Sequence, residues 1–416
     1  MSYSRILLLI LFMLVAVSGA TLADSDPAPG EILQSEYMTE HDIAAIRPIV
    51  DNFYPPEQVI APQYAVDEYQ IRLTSLNRDG EPIEILAQLY IPRTEDATEM
   101  PVYVMGAGSS GLVDACAPSR EQPSVQNWGS YRAFLLSIAT QGYITIMPDY
   151  AGFNDPDSIQ PYYVAEMAGK VMLDAGRAVY DLYDSGDDWQ AESTGVTPDE
   201  LVFMAGYSQG GQSIFAAKDM WQDYAPELPL AGVIGYAPVV NMQYHMLRLP
   251  QLAPYRMYAW ADYYGADLVN YEEVFADGWL ATLEEDVLRL CVIDAAGYFS
   301  ASPAELYRPE FLVSLQNETL DEDYPDLYEL FEMNNPGFVQ NDVPALIIQG
   351  TLDNTLPMWV HEAFVEPYCE IGNHLTEFIA EDVTHFTVRQ VSYRFVMEWM
   401  QTIASGETPR NDCLDR

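Results

Sequence analysis

The stretch LVFMAGYSQGG at residues 201–211 decides the fold. Its first five residues are apolar and predict a buried strand, and a helical pattern begins at Gln212. Between them lies Gly-x-Ser-x-Gly, in which Gly206 and Gly210 allow the strand and the helix to pass closely. Such a turn holds Ser208 above the sheet edge at a helix N-terminus, where backbone N–H groups favour negative charge. The stretch therefore predicts a nucleophile elbow, and the alternative is an ordinary strand-to-helix turn.

The segments around this turn predict a mostly parallel sheet. Alternating apolar residues at 69–74 and 84–91 predict an antiparallel hairpin. Apolar segments at 101–105 and 143–147, separated by a helical pattern, predict a parallel βαβ unit. Further strands are predicted at residues 201–205, 230–235, 345–349 and 375–379. A hairpin followed by alternating strands and helices predicts the α/β class and, within it, the α/β-hydrolase fold.

The N-terminus predicts export. Residues 1–20 carry Arg5, a short apolar run and small residues, which is the pattern of a signal peptide cleaved near Ala20. A membrane anchor is the alternative, but the run is short for a bilayer span. We expect a secreted or periplasmic protein, in which four cysteines form two disulfides. Their spacing leaves all three pairings open and does not resemble a metal site. The cysteines are Cys116, Cys291, Cys369 and Cys413.

The remaining chain predicts an arm, a core and a cap. Residues 21–66 are irregular and rich in acid and proline, which predicts an N-terminal arm. The hydrolase core is predicted at residues 67–237 and 341–416. Strand signals stop at residues 238–340, where a helical pattern and many aromatic residues predict a helical cap, or lid, inserted after the sixth predicted strand. Such a cap suits an apolar acyl chain, although the aromatic residues can also simply pack the cap.

The composition is strongly acidic. Asp and Glu number 63 against 18 Lys and Arg, which gives a formal net charge of −45. This charge argues against nucleic acid and anionic membranes as partners, since both would be repelled. Because the acidic residues are spread along the chain, we predict a halophilic protein whose self-repulsion is screened by concentrated salt. The alternative is an acidic surface without such adaptation.

A serine nucleophile needs a histidine base and an acid that orients it. Catalytic groups of an open α/β sheet follow the carboxyl ends of the strands. Asp353 follows the 345–349 strand and a turn, although it could also serve only as a turn or helix cap. Among five histidines, only His385 follows the last predicted strand. The order Ser208, Asp353, His385 is the order that the fold demands. Position excludes the other four, His41, His245, His361 and His374.

The negative charge that develops on the attacked carbonyl also needs donors. The N–H of Gln209, directly after the nucleophile, predicts one of them. The second is expected from the loop after the 101–105 strand, GAGSSG at residues 106–111, with Ser109 as the donor. The alternative is a glycine-rich connector without a catalytic role.

Four motifs resemble those of the secretory lipases, the fungal lipase A-like group and its bacterial relatives. They are GSSG followed by DACAPS at residues 108–119, PDYAG at 148–152, GYSQGG at 206–211 and QGTLD at 349–353. The resemblance implies a large helical lid, no cofactor, and hydrolysis of carboxylic esters including acylglycerols. It further implies the disulfides Cys116–Cys291 and Cys369–Cys413. One departure is Ala107, where many relatives carry histidine.

The sequence therefore predicts a secreted serine carboxylic-ester hydrolase that works as a monomer without metal or cofactor. We expect a lipase acting on acylglycerols or other hydrophobic esters, with transient contact to a lipid interface through the cap. A short-chain esterase of the same fold is the first alternative, and a peptidase on this fold is a weaker one. The alternative from another class is a secreted binding protein that does not catalyse turnover.

Overall fold

The structure is a computed structural model that describes residues 26–122, 126–184 and 194–416. The predicted signal peptide and its cleavage site lie outside these ranges. Within them, the search for a helix with the length and apolar character of a membrane span finds none.

Nine strands in the described ranges form one sheet in the order β1-β2-β3-β5-β4-β6-β7-β8-β9. The pairs β1–β2, β2–β3 and β3–β5 are antiparallel, and every pair from β5 to β9 is parallel. The strands are β1 Ile32–His41, β2 Val66–Leu76, β3 Pro82–Pro92, β4 Thr98–Gly106, β5 Ile144–Pro148, β6 Val196–Tyr207, β7 Leu230–Tyr236, β8 Ala345–Gly350 and β9 Leu375–Ala380.

Helices connect the strands. The helices before β7 are α1 Ile43–Phe53, α2 Tyr131–Ala139, α3 Ala165–Asp184 and α4 Gln209–Tyr224. Between β7 and β8 lie α5 Met242–Arg248, α6 Ala253–Tyr264, α7 Tyr271–Val274, α8 Asp277–Leu280, α9 Leu283–Arg289, α10 Val292–Tyr298, α11 Pro303–Leu306, α12 Pro309–Asn317, α13 Leu320–Asp323 and α14 Pro325–Met333. The last are α15 Met358–Glu370, α16 Val388–Val391 and α17 Tyr393–Ala404.

The predicted strand order is confirmed from the hairpin onward. In the hairpin turn, the Asn77 side chain accepts hydrogen bonds from the N–H groups of Asp79 and Glu81, which fixes the reversal between β2 and β3. The strands β4, β6, β7 and β8 are almost entirely buried in their second halves. This burial explains why they are continuous apolar runs in the sequence, since a parallel sheet is covered on both faces.

The prediction of an irregular N-terminal arm is wrong for residues 32–53. They form β1, which extends the sheet beside β2, and α1, which is capped by the Asp42 side chain. Two register shifts, at Ile32/Gln34 and Tyr37/Thr39, interrupt the pairing of β1. Most β1 side chains at this sheet edge are also exposed or only half-buried. The alternation of apolar and polar residues that identifies a strand is therefore missing.

Helices α5–α14 occupy the segment for which the cap is predicted, and we call this segment the insertion. Because β1 adds a strand, the insertion follows the seventh strand and not the sixth. Two helical stretches of the insertion are each divided into two, α8 and α9 at residues 277–289 and α11 and α12 at residues 303–317. In the second, Pro309 disfavours helical backbone in the residue before it, so α12 starts anew there. Whether the insertion acts as a lid stays a prediction.

Candidate active site

The turn that carries Ser208 is as tight as the sequence predicts. Ser208 has φ +54° and ψ −108°, a strained conformation for a residue other than glycine. A Cβ atom on Gly206 would lie 1.9 Å from the Gly210 carbonyl oxygen, and one on Gly210 would lie 2.0 Å from the Gly106 oxygen. Only glycine fits at these two positions. The Ser208 N–H donates to the Tyr236 carbonyl at 3.0 Å, which anchors the turn to β7.

Asp353 and His385 are in direct contact although 32 residues separate them. His385 Nδ1 lies 2.8 Å from Asp353 Oδ2. The other carboxylate oxygen, Oδ1, accepts the N–H groups of Thr355 at 2.9 Å and Leu356 at 2.7 Å. The carboxylate therefore accepts hydrogen bonds in the turn and contacts the histidine at the same time. Both side chains are buried.

The loops after β8 and β9 are locked together, which sets this contact. The Leu352 N–H donates to the Val383 carbonyl at 2.9 Å, and the Asp382 N–H donates to Thr351 Oγ1 at 2.9 Å. A Cβ atom on Gly350 would lie 2.3 Å from the Val383 oxygen. Glycine at this position therefore lets the two loops approach closely enough for the acid and the histidine to meet.

Three tyrosines hold the loop that contains Ser109. The Gly108 N–H donates to the Tyr131 hydroxyl at 2.6 Å, and the Tyr150 hydroxyl donates to the Ala107 carbonyl at 2.6 Å. The hydroxyl groups of Ser109 and Tyr162 are 2.6 Å apart. These contacts support the loop without the histidine that many relatives carry at position 107. Sequence reasoning assigned this role to none of the three tyrosines, although Tyr150 lies in the PDYAG motif.

Two backbone N–H groups remain available for an oxyanion. Gln209 is the first residue of α4, where a helix leaves its N–H groups without intrahelical acceptors. The hydrogen bonds among the described residues do not use the N–H of Ser109. Ser109 and Ser208 line the same cavity, and Gln209 follows Ser208 directly, so the arrangement is compatible with the predicted oxyanion hole. The assignment of both donors stays a prediction.

A buried arginine supports the same region. Arg389, on α16, is 2% exposed and donates to the Gly129 carbonyl. Its guanidinium lies 5.0 Å from the ring centre of Tyr131 and 4.7 Å from that of Tyr207, the residue before the nucleophile. Cation–π contacts of this kind contribute about 0.5–2 kcal/mol each. Arg389 thus connects the elbow with the oxyanion loop, and no local sequence pattern identified it.

Ser208 and His385 line one cavity of about 440 Å³. This volume lies in the range of ligand pockets, roughly 300–1,000 Å³. Ser109 and Trp128 contribute from the core, whereas much of the apolar wall comes from the insertion. The apolar residues that the insertion contributes to this wall are Leu249, Leu252, Val292, Ile293 and Ala296. Across the described ranges, no group of three or more His, Cys, Asp or Glu side chains is arranged to hold a metal ion.

A disulfide joins the insertion to the segment just after the loop of residues 106–111. Cys116 follows that loop and bonds to Cys291 at the start of α10, and the Val292 N–H donates to the Ser110 carbonyl at 2.8 Å. The second disulfide, Cys369–Cys413, ties the C-terminus to α15. Both pairings implied by the family resemblance are confirmed.

Comparison with known proteins confirms that resemblance. Residues 125–249 match the family described as secretory lipase. A trichothecene C-3 esterase of Fusarium sporotrichioides is 24% identical over 320 residues, which cover 72% of this chain and 64% of the esterase. Lipase A of Arthroderma benhamiae is 26% identical over 190 residues, which cover 43% of this chain and 37% of the lipase. The matches thus span less than two thirds of the length of either curated relative.

Solved structures establish the fold. The rice cell wall degrading esterase LipA from Xanthomonas oryzae has a TM-score of 0.71 at 17% identity, covering 91% of this chain and 97% of that one. Candida antarctica lipase A in its closed state has a TM-score of 0.68 at 16% identity, covering 92% and 84%. The chain has the α/β-hydrolase fold, as the sequence predicts.

Proposed function

We propose that this chain is a serine-dependent carboxylic-ester hydrolase. The observation that carries the proposal is the hydrogen bond of His385 to Asp353, beside Ser208 on a strained elbow in one cavity. The family match and the esterase and lipase relatives support the same class of reaction. A binding protein would have no need to keep all three groups in this arrangement.

The mechanism follows from these groups. Ser208 Oγ attacks the ester carbonyl while His385 takes the hydroxyl proton, and Asp353 holds and balances the imidazolium. The Gln209 and Ser109 N–H groups bind the oxyanion. The tetrahedral intermediate expels the alcohol, which receives the proton from His385 and leaves an acyl group on Ser208. A water molecule then attacks the acyl-enzyme by the same steps and releases the acid.

The substrates we propose are hydrophobic esters, acylglycerols among them. The apolar wall that the insertion contributes supports this class. A second candidate, a short-chain esterase, is favoured by the limited volume of about 440 Å³. A long acyl chain needs more room than this and requires the insertion to move. Chain-length preference therefore distinguishes the two candidates, and contact with a lipid interface belongs to the first.

Export remains part of the proposal. The two disulfides suit an oxidising compartment, and the family match is to secretory enzymes. We propose that the chain acts outside the cytoplasm. A monomeric state stays a prediction.

The test is labelling with a fluorophosphonate probe together with hydrolysis of p-nitrophenyl esters from acetate to palmitate. Ser208→Ala should abolish labelling and lower kcat by at least about 10⁴-fold. Ser392→Ala is the matched control, because that hydroxyl is equally buried but bonds only within its own helical segment. Equal labelling of Ser208→Ala and wild type would refute the mechanism. A rate that peaks at acetate or butyrate would select the esterase over the lipase.

A further inference from the structure

One histidine of the insertion lines the proposed site and has a ring nitrogen without a hydrogen-bond partner among the described residues. His245, on α5, lines the same cavity as Ser208 and His385 and is 1% exposed. Its Nε2 atom has no hydrogen-bond partner among the described residues. Leaving a buried polar atom without a partner is unfavourable. Such a cost at the wall of a reactive cavity points to a partner that arrives with the ligand.

The protonation of this ring is fixed by its neighbour. The Arg256 guanidinium contacts His245 Nδ1. Arginine has donors and no acceptor, so Nδ1 must present its lone pair and the ring hydrogen lies on Nε2. Burial lowers the pKa of His245 well below its ordinary value, and the positive charge of Arg256 acts in the same direction. The ring is therefore a neutral donor whose N–H belongs to Nε2.

Arg256 is itself held rigidly. It is completely buried, and no carboxylate of the described chain pairs with it. Its Nη1 donates to the Met242 carbonyl at 3.0 Å. The guanidinium lies 4.9 Å from the ring centre of Tyr163 and 5.9 Å from that of Trp260. A buried arginine without a counter-ion is costly, and its visible effect here is to orient His245.

His245 approaches the cavity from the side of the insertion. Its ring packs against the ring of Tyr163 with 5.1 Å between centroids. The oxyanion donors come instead from the loop after β4 and from the elbow. Phe386, next to His385 and also in the cavity wall, is 71% exposed, whereas His245 is buried. The leaving alcohol is assigned to the exposed end of the cavity and the acyl portion to the buried end at His245.

We propose that His245 is a specificity-determining residue whose Nε2–H donates a hydrogen bond to an oxygen atom in the acyl portion of the substrate. This inference rests on the proposed ester hydrolysis. Among the hydrophobic esters proposed above, those whose acyl group carries an ether, keto or hydroxyl oxygen are then preferred, and those with a plain hydrocarbon acyl group are hydrolysed more slowly. The selection follows because a hydrocarbon acyl group leaves the buried donor unpaired.

The experiment compares p-nitrophenyl hexanoate with isosteric esters in which an ether oxygen replaces one methylene at chain position 4 or 5. Each kcat/KM is divided by the rate of alkaline hydrolysis of the same ester, which removes intrinsic reactivity. We expect one oxygen position to be preferred over the hydrocarbon by at least about tenfold, which corresponds to one satisfied buried donor. If the corrected kcat/KM of the wild-type protein is equal for all these esters, the proposal is overturned before any variant is made.

Variants of His245 test whether this residue causes the preference for an acyl oxygen. His245→Leu should bring the ratio close to one, whereas His245→Gln, which keeps an N–H donor, should retain a preference. His245→Phe is a second apolar replacement with ring shape, in case the leucine variant does not fold. A preference that survives both apolar variants would overturn the role of His245, and so would an equal loss on all esters, which would indicate an oxyanion donor instead. If hydrolysis itself survives in Ser208→Ala, it is the proposed function that fails.

Discussion

Replacing Asp353 by asparagine should lower kcat by about 10³–10⁴-fold and leave the fold intact. The hydrogen bonds of Asp353 explain why exchanging one carboxylate oxygen for an NH₂ group has this effect. The N–H groups of Thr355 and Leu356 require an acceptor at the Oδ1 position, at 2.9 and 2.7 Å. The asparagine carbonyl oxygen can satisfy them only if its NH₂ group takes the place of Oδ2, which lies 2.8 Å from His385 Nδ1.

In that orientation the histidine has the wrong tautomer. The NH₂ group is a donor, so His385 Nδ1 must accept and the ring hydrogen moves to Nε2. A protonated Nε2 cannot take the proton of Ser208. The opposite orientation of the amide would face its NH₂ group toward two N–H groups and cost about 1–3 kcal/mol for each of them. The expected loss of activity corresponds to about 4–5.5 kcal/mol of transition-state stabilisation.

The assay is ester hydrolysis, with thermal unfolding measured on the same preparations. Asp353→Ala is the matched control. It removes both functions of the carboxylate, so it should also lose stability by about 1–2 kcal/mol through the turn. Asp353→Asn should unfold close to the wild-type temperature. A folded asparagine variant with kcat within about tenfold of wild type would refute the role of Asp353 and the tautomer argument.

Three further predictions concern the surroundings of the site. Tyr131→Phe removes the acceptor of the Gly108 N–H, and kcat for ester hydrolysis should fall about tenfold with little change in KM; an unchanged kcat would show that the loop does not depend on this bond. Replacing Cys116 and Cys291 together by serine should lower the unfolding free energy by about 2–5 kcal/mol in urea, and an unaltered midpoint would contradict a structural role. Burial lowers the pKa of Lys218 from 10.5 to about 8. Between these values only the unfolded chain holds the proton, so the stability of wild type relative to Lys218→Met should rise with pH by up to about 3 kcal/mol. A constant difference in urea unfolding between pH 7.5 and pH 10.5 would contradict it.

The parts of this molecule that sequence predicts well are those with a local signal. Buried parallel strands are apolar runs, and the elbow is a short pattern whose glycines are required by the 1.9 and 2.0 Å approaches described above. The residues Asp353 and His385 follow from strand order alone, since the carboxyl ends of β8 and β9 lie side by side. Local periodicity and chain order were sufficient for these residues.

Other parts of the structure have no recognisable pattern in the nearby sequence. Strand β1 is defined by its hydrogen bonds to β2, and its exposed side chains do not alternate. Arg389 and Tyr131 meet across 258 residues of chain, and each reads singly as an ordinary helical residue. Tertiary contacts of this kind cannot be predicted from periodicity, because the sequence around one residue does not indicate which distant residue it contacts.

His245 shows how the difference between locally encoded features and tertiary contacts affects a functional prediction. Its position in the sequence separated it from His385, because it precedes β8 and Asp353. The same position hid its place in the cavity wall, since the insertion returns to the core through the disulfide at Cys291 and through packing that no local pattern encodes. In the proposed mechanism the reacting groups lie at the strand ends of the sheet, whereas much of the apolar cavity wall comes from the insertion. Substitutions in the insertion should therefore alter which esters are hydrolysed while Ser208, Asp353 and His385 keep the reaction itself unchanged.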